Sequence, residues 1–223
     1  MRMNERQCAA LDETAPEGIQ SMKLYYMPGA CSLASHIALE WAGLPYETER
    51  LSHDSVHGAA YLKINPKGAV PALLLDDGEV ITESLAVLEY IADIAESANM
   101  GADGPLEWAR LNERLAELVS DVHKAWSPFF APQRFTTIEA NQDDAKQAAF
   151  IQLDKQYARM NAQMEGKTWS LFDRRTVADA YLFVMCRWKD MTPVKLSAYP
   201  ALAAFKARLD ADPGVKAALA AEG

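Results

Sequence analysis

The chain has 223 residues, a formal net charge of −9 and a composition that is 50% hydrophobic. That length holds one large domain or two small ones, and the composition excludes a chain disordered throughout. The acidic balance, with no cluster of Lys and Arg, argues against a nucleic-acid partner and against binding to an anionic membrane surface, and no apolar run is long enough to cross a bilayer.

Residues 1–21 mix Arg2, Glu5, Arg6, Asp12, Glu13, Pro16, Glu17 and Gly18 without periodicity or a hydrophobic stretch. They are expected to form a flexible extension rather than a secretory signal, with Met22 opening the first ordered segment. Lys23 to Met27 is a strand candidate closed by Pro28-Gly29. Cys31 to Trp41 reads as a helix, stopped by Gly43-Leu44-Pro45. Tyr46 to Leu51 is a second strand. A short helix follows near Ala60 to Ile64, then the turn Asn65-Pro66-Lys67-Gly68. Val70 to Leu75 and Val80 to Thr82 flank Asp76-Asp77-Gly78 and predict a hairpin. Glu83 to Ile94 carries Leu85, Leu88, Ile91 and Ala92 at helical spacing. Strand, helix, strand, short helix, hairpin, helix is the thioredoxin arrangement.

After residue 98 the strand signals nearly vanish. Leu106 to Ser127 reads as one long amphipathic helix, and further helices are expected over 140–164, 177–188 and 201–209. The expected organisation is an α/β thioredoxin-like domain over 22–98 followed by an all-α domain over 105–223.

Of the three cysteines, Cys8 lies in the N-terminal stretch and Cys186 among apolar helix residues. They are too far apart for a disulfide framework, so a reducing, cytoplasmic compartment is expected. Cys31 follows Pro28-Gly29-Ala30 at an expected helix start, where unpaired N–H groups favour negative charge and can lower a thiol pKa. Those groups and the Ser32 hydroxyl can instead hold the thiolate of a bound thiol. A small buried residue at a strand-to-helix turn is the plainer reading. Val70 precedes Pro71, whose peptide bond can be cis, and its backbone can pair with an extended peptide. Glu83-Ser84 opens a helix: Ser84 suits a carboxylate and Glu83 an ammonium, or both are ordinary helix-start composition. His123 and Lys124 flank the apolar face of the long helix, as boundary residues or as donors reaching back to the first domain. Thr176-Val177-Ala178-Asp179 is a capping box, a folding feature. His53, Asp54 and His57 lack metal-ligand spacing, so no metal is expected.

Five stretches in order carry a family resemblance: residues 23–33 through Pro28-Gly29-Ala30-Cys31-Ser32, residues 65–73 through Asn65-Pro66-Lys67-Gly68-Ala69-Val70-Pro71, Thr82-Glu83-Ser84, residues 123–128 from His123-Lys124, and residues 176–183 from Thr176. From Met22 onward the chain resembles the beta class of bacterial glutathione transferases. The resemblance implies that Cys31 is the active-site cysteine able to form a mixed disulfide with glutathione. It implies that Val70, before a cis Pro71, pairs with the cysteinyl backbone of glutathione, and that Glu83 and Ser84 hold the γ-glutamyl group. It places His123 near the thiol with Lys124 beside it. It further implies a homodimer, glutathione as co-substrate, and electrophilic or disulfide substrates at a hydrophobic second site, with Trp126, Phe129, Phe130 and Trp188 as candidate walls. Two positions depart from the family. The loop Ser52-His53-Asp54-Ser55-Val56-His57 lacks the lysine that reaches the glycyl carboxylate, and Ala116 stands where an asparagine is frequent. The rival expectations are a non-catalytic carrier of hydrophobic ligands or glutathione adducts, and a transferase-like scaffold for protein partners.

Overall fold

The computed structural model describes residues 21–223; the expectation for the N-terminal extension, and Cys8 with it, falls outside the described residues. Four strands form one sheet in the order β2-β1-β3-β4. β1 (Met22–Tyr26) runs parallel to β2 (Tyr46–Arg50) and antiparallel to β3 (Ala72–Leu75), which pairs with β4 (Val80–Thr82) across the expected hairpin. Side chains alternate across a strand. Accordingly Met22, Leu24 and Tyr26 join the main core beneath α1 (Leu33–Ala42) and α2 (Ser84–Ile94). Tyr25 points the other way, into a smaller cluster with Leu51, Val56, Tyr61 and Ala72.

Three boundaries differ from the sequence expectation. Helix α1 begins at Leu33, so Cys31 sits in the turn before it and not in its first turn. Strand β3 begins at Ala72, and Val70-Pro71, a cis peptide, lies outside the ladder. The long helix expected over 106–127 is divided into α3 (Gly104–Ala116), a π-helical stretch Glu117–His123 and α4 (Ser127–Phe130). A π turn bonds i to i+5 and takes an extra residue, so His123 is rotated from where α-helical spacing from Val119 places it. Pro128 suits the first turn of a new helix.

The remaining helices are α5 (Gln142–Met164), α6 (Val177–Lys189), α7 (Pro200–Asp210) and α8 (Pro213–Glu222). Helix α8 escaped the sequence reading, although Asp212-Pro213 carries its signal: Asp212 accepts from the Val215 N–H and proline occupies the first turn. It binds the end of the chain to α1, with Trp41 Nε1 donating to Asp212 at 2.8 Å and His36 meeting Glu222 at 3.3 Å. No described helix is long and apolar enough to cross a membrane.

Helix α6 is central. Arg187 is its one residue that is not buried. The capping box at its start is formed, and the buried Asp179 carboxylate accepts from the Ser170 and Thr176 amides at 2.9 and 2.8 Å. Replacing Asp179 by Ala leaves both amides buried without a partner. The expected loss is about 2–4 kcal/mol of stability, read from urea unfolding; a loss within the range of surface substitutions, about 0.5 kcal/mol, removes the box from the fold's essential bonds.

Candidate thiol site

The turn from β1 into α1 is tied down by short-range bonds. The Ala30 N–H donates to Met27 O at 3.0 Å, and Gly29 adopts a left-handed φ of 75° that suits glycine. Ser32 is fully buried. Its hydroxyl accepts from the Met27 N–H at 3.2 Å and faces Met27 O at 3.4 Å, so it closes the turn, whereas the sequence had it free to hold a thiolate.

Cys31 is enclosed. Its sulfur lies 3.5 Å from Val70 O and 3.7 Å from the Ser84 hydroxyl, which donates to it. Cys31 therefore meets two sequence-distant candidates, Val70 and Ser84. Burial pushes the Cys31 thiol up, against opposing hydrogen bonds from Ser84 and, more weakly, Tyr181. This corrects the expectation of a lowered thiol pKa. Desolvation outweighs the dipole of a helix that begins only at Leu33.

Glu83 is exposed and takes a φ of 72°, a conformation that a non-glycine residue adopts at a cost and that clusters at binding sites. Its carboxylate pairs with Lys67 at 2.5 Å. Both partners are more than half exposed, so this pair contributes little to stability and can be shared with an incoming charge.

His123 ends the π-helical stretch. Its Nδ1 lies 2.6 Å from the Tyr181 hydroxyl, and its ring meets Trp188 edge-on at 5.0 Å. Burial, then the charge of Lys124, pulls the imidazole down to about 4. Lys124 itself is exposed. Trp188 Nε1 donates to Gly29 O at 2.9 Å, tying α6 to the Cys31 turn. Of the expected aromatic walls, Trp126 is fully buried core, while Phe130 is 49% exposed and lies 5.0 Å from Trp188. His53 and His57 are exposed, and the His57 ring lies where a side chain on Gly68 would stand, 2.6 Å from a Cβ there. Among the described residues no three His, Cys, Asp or Glu side chains form a group able to hold a metal.

Residues 29–94 match the family described as glutathione S-transferase, N-terminal domain, and residues 120–213 match glutathione S-transferase, C-terminal domain. The chain belongs to the glutathione S-transferase family. It is 40% identical over 203 residues to glutathione S-transferase GST-4.5 of Xanthomonas campestris pv. campestris, covering 91% of this chain and 99% of that one. Among solved structures it is similar to a sphingomonad glutathione S-transferase complexed with glutathione (TM-score 0.82, 40% identity, 90% of this chain and 98% of that one). A beta class transferase from Sphingomonas chungbukensis matches with the same figures.

This transferase brings one unexpected residue to the site. Tyr181 is fully buried and joins His123 to the neighbourhood of Cys31 and Ser84. The sequence signal available was its place in the Thr176–Phe183 stretch, seven residues and two helical turns before Trp188 on the same face of α6.

His123 is neutral when folded near pH 7 and takes a proton more readily when unfolded. Its folded pKa of about 4 lies below the ordinary value of 6.5. The stability it confers is therefore present above 6.5 and lost as pH falls toward 4. His123→Gln is expected to remove about 2–3 kcal/mol of the stability difference between about pH 7 and about pH 4. Urea melts of both forms at the two pH values measure it; identical pH dependence contradicts a buried neutral imidazole.

Proposed function

We propose that this chain is a glutathione transferase in which glutathione lies against Val70 with its sulfur at Cys31. The observation that carries the reading is the meeting of Cys31 Sγ with Val70 O and the Ser84 hydroxyl at 3.5 and 3.7 Å. A thiol, a backbone edge outside the sheet ladder and a helix start converge there. The similar sphingomonad enzyme complexed with glutathione supports the choice of ligand. In this reading Ser84 and the start of α2 take the γ-glutamyl carboxylate, and Glu83, shared with Lys67, takes its ammonium. The same reading has His123 act near the sulfur and Lys124 add positive charge at the rim. Phe130 and Trp188 wall the second substrate, an electrophile or a disulfide. Residues 22–98 form the glutathione-binding domain and 105–223 the helical one.

Two reactions suit the site. In conjugation the glutathione thiolate attacks an electrophilic carbon: a C–S bond forms and the leaving group departs with its electron pair. In exchange the Cys31 thiolate attacks a disulfide, a mixed disulfide forms and the other sulfur leaves as thiolate. Association of two identical chains belongs to the same reading, with Leu106 of α3, 72% exposed, as an apolar side chain for the contact to cover.

Calorimetry with glutathione, followed by intact mass after incubation with oxidised glutathione, tests this reading. Binding and a mass gain that disappears in Cys31→Ala are expected, and Cys31→Ala is expected to keep part of the conjugation rate. Absence of binding sinks the proposal. Ser84→Ala is expected to weaken glutathione binding by roughly 1–3 kcal/mol, and an unchanged dissociation constant removes Ser84 from the site.

A further inference from the structure

Helix α6 holds the His123 ring from two sides. Nδ1 lies 2.6 Å from the Tyr181 hydroxyl, and the ring meets Trp188 edge-on with 5.0 Å between centres. Both contacts come from a helix anchored near each end, by the capping box at Thr176–Asp179 and by the Trp188–Gly29 bond. His123 itself closes the π-helical stretch, and π turns inside helices are frequent at functional sites.

The bond between the phenol and the imidazole can run in two directions, and burial chooses between them. The imidazole is neutral at about pH 7, because burial and then Lys124 pull it down to about 4. One ring nitrogen therefore carries a hydrogen and the other a lone pair. The phenol of Tyr181 is fully buried, and burial makes it keep its hydrogen. That hydrogen needs an acceptor within the protein. Among the hydrogen bonds of the described residues its one partner is Nδ1; the weaker pull of the Cys31 sulfur comes from a poor acceptor. With a hydrogen on Nδ1 the phenol oxygen would accept, and the buried O–H would lose its acceptor. The opposite nitrogen, Nε2, makes no hydrogen bond among the described residues. Unlike Nε2 of the buried His36 it is not enclosed, and the His123 ring is partly exposed.

We propose that Tyr181 is a positioning residue: its hydroxyl donates to Nδ1 of His123 and fixes the imidazole as a neutral ring with its hydrogen on Nε2, a donor open to an incoming anion. Both reactions above pass through a thiolate, the glutathione sulfur in conjugation and the leaving sulfur in exchange. A fixed N–H stabilises such a charge as it develops. The other tautomer would turn a lone pair toward the same charge and repel it. The part given to His123 in the reaction rests on the functional reading above; the place of the hydrogen on the ring does not.

The test reads the ring nitrogens by NMR in the full chain, isotope-labelled on histidine, at about pH 7 and without ligand. His123 is assigned through its own backbone, in wild type and in Tyr181→Phe, which keeps the ring and its packing. Alongside, kcat for conjugation of glutathione with chlorodinitrobenzene, an activated aryl chloride, is measured in both, in His123→Gln and in the double variant. Wild-type His123 is expected to show a bare Nδ1 and a protonated Nε2. In Tyr181→Phe both nitrogen signals are expected to move toward the average of the two tautomers, a change that a merely structural role would not produce. The same variant is expected to lower kcat roughly tenfold, part of the hundredfold or more that one preorganised donor contributes. The double variant is expected to be no slower than His123→Gln, because Tyr181 acts through that ring. A protonated Nδ1 in wild type, unmoved nitrogen signals or an unchanged kcat in Tyr181→Phe, or effects that multiply in the double variant each overturn the assignment. Where Tyr181→Phe does not fold, the wild-type spectrum and His123→Gln decide: a bare Nδ1 with a lowered kcat supports it, and a protonated Nδ1 or a wild-type kcat overturns it. Failure of the wild-type chain to bind glutathione strikes at the functional reading above, and the nitrogen signals, read without ligand, then decide alone.

Discussion

Helix α6 is buried along nearly its whole length, and a helix without a solvent face must satisfy every polar side chain from within the protein. Each is satisfied differently. Asp179 accepts from the Ser170 and Thr176 amides. Lys189, with no exposed surface, is held by Asp154 at 2.5 Å and Thr192 at 2.9 Å, with the rings of Tyr157 and Tyr199 at 5.0 and 5.4 Å. Tyr181 and Trp188 reach outward, to His123 and to Gly29 O. The first two bonds hold the helix in place. The second two tie α6 to the end of the π-helical stretch and, through Trp188, to the turn that carries Cys31.

The site that results holds its reactive groups uncharged. The thiol is buried against Val70 and Ser84, and the partly buried imidazole packs against Tyr181 and Trp188. Charge is found instead at the rim, in the exposed Glu83–Lys67 pair and in Lys124. In the proposed reading a zwitterionic ligand meets its ionic partners at the entrance and its chemistry in a drier interior, where electrostatic interactions are stronger. The loop that lacks the family's lysine adds His53 and His57, both exposed, and the His57 ring is seated against Gly68 beside the Lys67 turn.

Much of the fold around the candidate site was legible from the sequence because its markers are local. Pro28-Gly29 marks the turn before Cys31, Asp76-Asp77-Gly78 the hairpin, and Thr176-Val177-Ala178-Asp179 the helix start; each acts within four residues of itself. The readings that needed correction concern electrostatics and register. A thiol's pKa depends on how completely distant segments exclude water, so the position of Cys31 near a helix start gave the opposite direction. The π-helical stretch has no signature in the apolar spacing of Leu115, Leu118, Val119 and Val122, which reads as ordinary helix. Trp126 and Phe130 have equal claims as pocket walls in the sequence, yet one is core and the other half exposed.

The sequence by itself determined the strand and helix order of residues 22–98, the family, and the identity of Cys31, Val70, Glu83, Ser84 and His123 as candidates, because periodicity, turn chemistry and short motifs are properties of neighbouring residues. Only the tertiary structure decided which of them meet. Cys31 and Val70 are 39 residues apart, His123 and Tyr181 are 58, and Gly29 and Trp188 are 159. Contacts at such separations are set by how the buried faces of α1, α2 and α6 pack. Burial then sets the protonation states, which no local pattern encodes.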